Sequence, residues 1–160
     1  MTRAKSDLPS TIVKVMKKRG ITLATAESIT GGGLASAITD VPGSSAIFLG
    51  GIVSYSDQAK VKFLGIPKRV LTKSTAVSEV VARQMAESAR REFGSDFAIS
   101  TTGVAGPGKA YGQKAGTVWI AIASKSETIT IELALSGDRD SIRKSTIESA
   151  LACLSRILTP

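Results

Sequence analysis

Apolar positions recur at two spacings along this chain, and their alternation predicts an α/β fold. In LPSTIVKVMKKR (residues 8 to 19), Leu8, Ile12, Val15, Met16 and Arg19 follow helical spacing, and Gly20 supplies a stop. ITLATAE (21 to 27) reads as a strand. Gly31 to Gly33 lead into a short helix, LASAIT, ending near Asp40, and Pro42-Gly43 punctuates the next connection. AIFLGGIVS (46 to 54) predicts a buried strand, interrupted or bulged at Gly50-Gly51. Ser56 is then a good N-cap with Asp57 in the first turn. Ala59, Phe63 and Leu64 supply the expected buried face of that helix, and Gly65 and Pro67 end it.

The longest helical pattern runs from Thr75 to Phe93, with Val77, Val80, Val81, Met85, Ala89 and Phe93 on one stripe. Arg83, Glu87, Arg90 and Arg91 occupy its other side. FAIST (97 to 101) is a short strand that enters a glycine-rich loop, residues 102 to 116. TVWIAIAS and the alternating TITIELAL, joined by KSE, predict a hairpin. SGDRD caps a final helix over 140 to 158, with Ile142, Ala150, Leu151, Leu154 and Ile157 inside. The expected architecture is one α/β domain over residues 1–160, its core about 8–157. A mixed β-sheet is flanked by helices on both faces.

Composition narrows the chemistry. At 42 % hydrophobic and 4 % aromatic, the 160-residue chain should build an aliphatic core. A net charge of +8, much of it from Arg3, Lys5, Lys14, Lys17, Lys18 and Arg19, favours anionic partners. Nucleic acid ranks last among them, because no aromatic interleaving, zinc-finger spacing or basic glycine-rich tail accompanies the charge. The lone Cys153 excludes an intrachain disulfide and falls on the apolar side of the last helix. One cysteine and no histidine argue against a zinc or transition-metal site and leave a carboxylate-bound magnesium ion open. No apolar run approaches membrane-spanning length, and no secretory segment opens the chain. A cytoplasmic location is the expectation.

Loops after strands are where open α/β sheets bind ligands, and three stand out: Glu27 to Gly33, Tyr55 to Lys60, and Thr102 to Gly116. In ATAESITGGG, Ser28 follows a strand and precedes glycines and a helix. It is either a nucleophile beside backbone N–H groups or part of a tight turn with Ser28 or Thr30 as N-cap. The stretch lacks both G-x-S-x-G and the lysine of a phosphate-binding loop. Without histidine, a general base must be Lys, Tyr, Asp or Glu. Lys60 lies one helical turn beyond Ser56 and can serve if burial lowers its pKa; otherwise it is a surface lysine, as Lys62 is expected to be. Arg139 and Arg143, four apart, could either meet a phosphate or pair with Asp138 and Asp140.

The segments TAESITGGGLASAITDVPGSS, GGIVSYSDQAKVKFLGI, AVSEVVARQMAESARREFGSDFAISTTGVAGP, AGTVWIAIAS and SGDRDSIR together resemble the CinA C-terminal domain family over roughly residues 8 to 157. The resemblance implies an amidohydrolase that converts nicotinamide mononucleotide to nicotinic acid mononucleotide and ammonia. It implies that Ser28 is the nucleophile and that Tyr55 and Lys60 assist proton transfer. It also implies substrate binding by Thr30, Gly31 and Gly32 of the serine motif, by Thr102, Gly103 and Gly106 of the TG-x-AGP loop, and by Arg139 and Arg143. No metal or other cofactor is required, and a homo-oligomer, such as a dimer through a second face of the 75–93 helix, is expected. Two positions depart from the family pattern: Ile29 replaces a cysteine and Ala115 a proline. The rival reading is a non-catalytic nucleotide-binding regulator linked to competence or DNA damage.

Overall fold

The computed structural model describes residues 7–160; Arg3 and Lys5 lie outside them. Five strands, β1 (Leu23–Glu27), β2 (Phe48–Val53), β3 (Phe97–Gly103), β4 (Thr117–Ala123) and β5 (Thr128–Ala134), form one sheet in the order β2-β1-β3-β4-β5. The first three are parallel, and β4 and β5 close the sheet as an antiparallel hairpin. Helices α1 (Leu8–Arg19), α2 (Gly33–Thr39) and α6 (Arg139–Leu158) cover one face. Helices α3 (Asp57–Leu64), α4 (Lys68–Ser74) and α5 (Glu79–Phe93) cover the other. The mixed sheet with helices on both faces is the expected fold.

Strand alternation sorts the core by size. Leu23, Ile99, Val118, Ile120 and Ile122 face α1, α2 and α6, whereas Ala24, Ala26, Ala98, Ala121 and Ala123 face α5 and its neighbours. Small residues on both sides let α5 lie close to the sheet, where Ser100 Oγ donates to the Ala82 carbonyl at 2.6 Å. Cys153 is half-buried against the larger core.

Several expectations change. β2 is an edge strand with half-buried and exposed positions alternating, because it pairs with β1 alone. Its irregularity falls where Leu23 pairs with Phe48 and Ala24 with Gly50. The buried side of α3 is Lys60 and Leu64, while Phe63 is exposed. Helix α5 starts at Glu79 rather than Thr75: Thr75 has φ 62° and Ser78 is the N-cap, accepting from the Val81 N–H. Helix α4 has no counterpart in the apolar pattern, since Leu71 is the one fully buried residue in KRVLTKS. At the C-terminal end, Ile157 is half-buried and Leu158 is buried.

Candidate active site

The C-terminal ends of the parallel strands place the serine. The Ser28 N–H donates to the Thr101 carbonyl at 2.9 Å, and the Ser54 N–H donates to the Glu27 carbonyl at 2.9 Å. These bonds extend the ladders one residue past β1 and β2. Ser56 then caps α3 by accepting from the Ala59 N–H, which sets Lys60 one turn in and pointing at the sheet. Lys60 is 0 % exposed. Its Nζ donates to the Ser54 carbonyl at 2.7 Å and to Ser28 Oγ at 3.1 Å. Burial lowers the Lys60 pKa, and the nearby Asp57 carboxylate opposes part of that effect. A neutral amine in this position keeps an N–H for the Ser54 carbonyl and has a lone pair for the Ser28 proton. Lys62 is exposed, as expected.

The turn that carries Ser28 is held from two sides. The Glu27 carboxylate accepts from Thr30 Oγ1 at 2.7 Å and from the Leu34 and Ala35 N–H groups at 2.7 and 3.1 Å. It thus caps the N-terminus of α2 from inside the fold. Thr30 Oγ1 also shares a 2.7 Å hydrogen bond with Thr101 Oγ1. From the other side, Arg143 Nε donates to the Ile29 carbonyl and its NH2 to the Thr30 carbonyl, both at 3.1 Å. Gly31 and Gly32 take φ of 57° and 97°, so the chain reverses without a Cβ penalty. A trans peptide is planar, so fixing the Ile29 carbonyl fixes the Thr30 N–H pointing away from Arg143. The Ile29 and Thr30 N–H groups make no hydrogen bond among the described residues. Of the two, Ile29 belongs to the lining of the cavity at Ser28, which makes its N–H a candidate donor for an oxyanion.

Ser28, 9 % exposed, opens into a pocket of about 160 Å³. The loop from Gly103 to Gly108 forms one wall, and Tyr55, Tyr111 and Arg139 also line it. A Cβ at Gly103 would fall 2.7 Å from Val118 Cγ2 and 2.8 Å from the Thr117 carbonyl oxygen, so the loop needs glycine to leave β3 here. Arg139 ties the rim together: NH1 donates to the Gly106 carbonyl at 2.6 Å and NH2 to the Tyr55 hydroxyl at 3.0 Å.

The structure brings Ser28 and Lys60 together and puts Tyr55, Gly103, Gly106 and Arg139 around the same pocket. Tyr55 is 57 % exposed, and no hydrogen bond joins its hydroxyl to Ser28 or Lys60 among the described residues. Thr30, Gly31 and Gly32 form the turn. The buried Thr102 hydroxyl donates to the Ala76 carbonyl at 2.6 Å, and Thr102 does not line the pocket. Arg143 stands behind the turn. The alternative pairing of the arginines with Asp138 and Asp140 is not seen: Asp138 caps α6 and Asp140 pairs with Lys144. Ile29 is 4 % exposed and packs in the core, which suits an apolar residue at that departure. Sequence reasoning missed two residues. The signal for Glu27 is an acid ending a buried strand just before a helix start; the signal for Tyr111 is a Tyr-Gly pair in mid-loop.

A three-layer α/β domain with a buried serine–lysine pair at its parallel strand ends defines the class. The chain belongs to the CinA C-terminal domain family, whose model matches residues 5–158. It is 44 % identical over 153 residues to a putative competence-damage inducible protein of Caldanaerobacter subterraneus and 43 % identical over 152 residues to a CinA-like protein of Geobacter sulfurreducens. Those alignments cover 95 % and 94 % of this chain and 37 % of each relative, so the chain spans little more than a third of their length. Among solved structures, it is similar to the competence damage-inducible protein A of Klebsiella pneumoniae, with 35 % identity, a TM-score of 0.93 and 95 % of both chains covered. It is also similar to a competence/damage inducible protein of Agrobacterium tumefaciens, with 32 % identity, a TM-score of 0.91 and 100 % of both chains covered.

Proposed function

We propose that this protein hydrolyses the carboxamide of nicotinamide mononucleotide, with Ser28 as nucleophile and Lys60 as general base. The observation that carries the reading is the fully buried Lys60 amine 3.1 Å from the Oγ of Ser28, which lines an open pocket. A lysine is a useful base only when neutral, and burial is the cause that moves it there. Lys60 takes the Ser28 proton as Oγ bonds to the amide carbon. The Ile29 N–H steadies the oxyanion. Lys60 then returns the proton to the amide nitrogen, the C–N bond breaks and ammonia leaves. A water molecule, deprotonated by Lys60, cleaves the Ser28 ester and restores the serine.

Of the two arginines, Arg139 is at the rim and is assigned the substrate phosphate. Arg143 serves the site through the turn it holds. Tyr55 is assigned to the mouth of the pocket, where it orients substrate. The proposal includes a cytoplasmic setting and a homo-oligomer. Among the described residues no helix is long and apolar enough to cross a membrane. The test is to incubate the purified protein with nicotinamide mononucleotide and quantify both products. Equal amounts of ammonia and nicotinic acid mononucleotide are expected. Nucleotide binding with no product would overturn the hydrolase and support the regulator.

A further inference from the structure

Tyr111 occupies a position that its backbone disfavours. Ala110 and Gln113 exchange N–H···O=C hydrogen bonds of 3.0 and 2.9 Å, which makes Tyr111-Gly112 the two-residue loop of a small hairpin. Both loop residues have positive φ, 53° for Tyr111 and 70° for Gly112, the signs of a type I′ turn. Asn, Asp or Gly fits the first of these positions, and a bulky side chain does not. Local preference therefore does not explain the tyrosine. Its surroundings do: it is 46 % exposed, yet it lines the pocket that Ser28 opens into. Burial raises the pKa of its hydroxyl, and the Asp57 carboxylate adds to the effect.

Tyr55, the other aromatic residue at this mouth, is anchored through its hydroxyl by Arg139. Val104, Ala105 and Pro107 add apolar surface to the lining of the same pocket.

We propose that Tyr111 determines specificity: with Tyr55 it forms an aromatic subsite that stacks a planar heteroaromatic ring and so delivers that ring's carboxamide to Ser28. The inference rests on the amide-hydrolase reading and adds the class of acyl group accepted. Contact with substrate accounts for a tyrosine in an unfavourable turn position. Aromatic amides are then preferred over aliphatic ones.

The experiment measures ligand binding by calorimetry in a Ser28→Ala background, so turnover plays no part. Two probes are used, nicotinamide mononucleotide and ribose 5-phosphate, which lacks the aromatic ring. Tyr111→Asn, which suits the turn, and Tyr111→Ala should weaken the first probe about tenfold and leave the second within about twofold. Tyr111→Phe should bind both as the parent does. Tm of Tyr111→Asn should equal or exceed the parent's. Equal weakening of both probes, no weakening of either, or a lower Tm for Tyr111→Asn would overturn the proposal. So would a parent that binds both probes equally. If the native protein releases no ammonia but Tyr111→Asn still weakens only the aromatic probe, the subsite stands and the hydrolase reading falls. If hydrolysis is observed and Tyr111→Asn changes nothing, this inference alone falls.

Discussion

Lys60 has no exposed surface, and that ties the stability of the protein to its proposed chemistry. Its folded pKa lies below the ordinary lysine value because burial disfavours the charged amine. Between the lowered value and the ordinary one, the unfolded chain holds a proton there that the folded chain lacks. Stability therefore rises with pH across that window, and below it the destabilisation is fully present. Urea midpoints of the native protein should climb as pH rises toward the ordinary lysine range. Lys60→Met should flatten this slope; an unchanged slope would mean that another group causes it. The same substitution should lower kcat by roughly 10²- to 10⁴-fold. In the native protein kcat/KM should rise with pH as Lys60 loses its proton. Ser28 and Lys60 were legible as candidates from their places in loops after strands, and it was the resemblance to the CinA family that singled out their roles. The burial of Lys60 was not legible from periodicity, which put Ala59 and Phe63 on the inner face. Hydropathy fails where function places a polar group inside.

The elements that position the site obey stricter steric rules than the sequence pattern discloses. Helix α5 approaches the sheet through Ala82 and Ala86 against Ala121 and Ala123. Ala86→Leu should destabilise by about 1–3 kcal/mol, read from the urea midpoint, because four such small residues leave no room for the added methylenes. The turn after β1 depends on α6, more than 100 positions away along the chain, through the Arg143 hydrogen bonds to Ile29 and Thr30. Arg143→Ala should lower kcat by about 10²-fold through misplacement of Ser28 and the neighbouring N–H groups. Its effect on KM should be the same for nicotinamide mononucleotide and for the phosphate-free riboside. A rise in KM confined to the nucleotide would instead make Arg143 a phosphate ligand. The β4–β5 hairpin and the long α5 and α6 helices were legible because period and punctuation agree. The edge position of β2 was not, since an apolar run with glycines reads alike at an edge or in the middle. Helix α4 was not, since Leu71 is its one fully buried residue.

At the scale of the molecule, three parallel strands end side by side, so Ser28, Ser54 and the Thr102–Pro107 loop share one rim of the sheet. Helix α3 brings Lys60 to that rim and α6 brings Arg139 and Arg143. Strand–helix alternation made this arrangement readable, because ligands of open α/β sheets gather at the C-terminal strand ends. Which side chains within the loops turn inward was not readable. Thr102 and Gly103 are adjacent, yet one hydroxyl is tied to Ala76 and the other residue lines the pocket. Amide hydrolysis through Ser28 is the activity proposed for this rim. The most direct measurement is the rate of ammonia release from nicotinamide mononucleotide by the native protein beside Ser28→Ala, with folding of both checked by circular dichroism. Native protein should release ammonia steadily, and the variant should lose at least about 10³-fold of that rate. Release by a folded Ser28→Ala protein at a comparable rate would contradict the proposal.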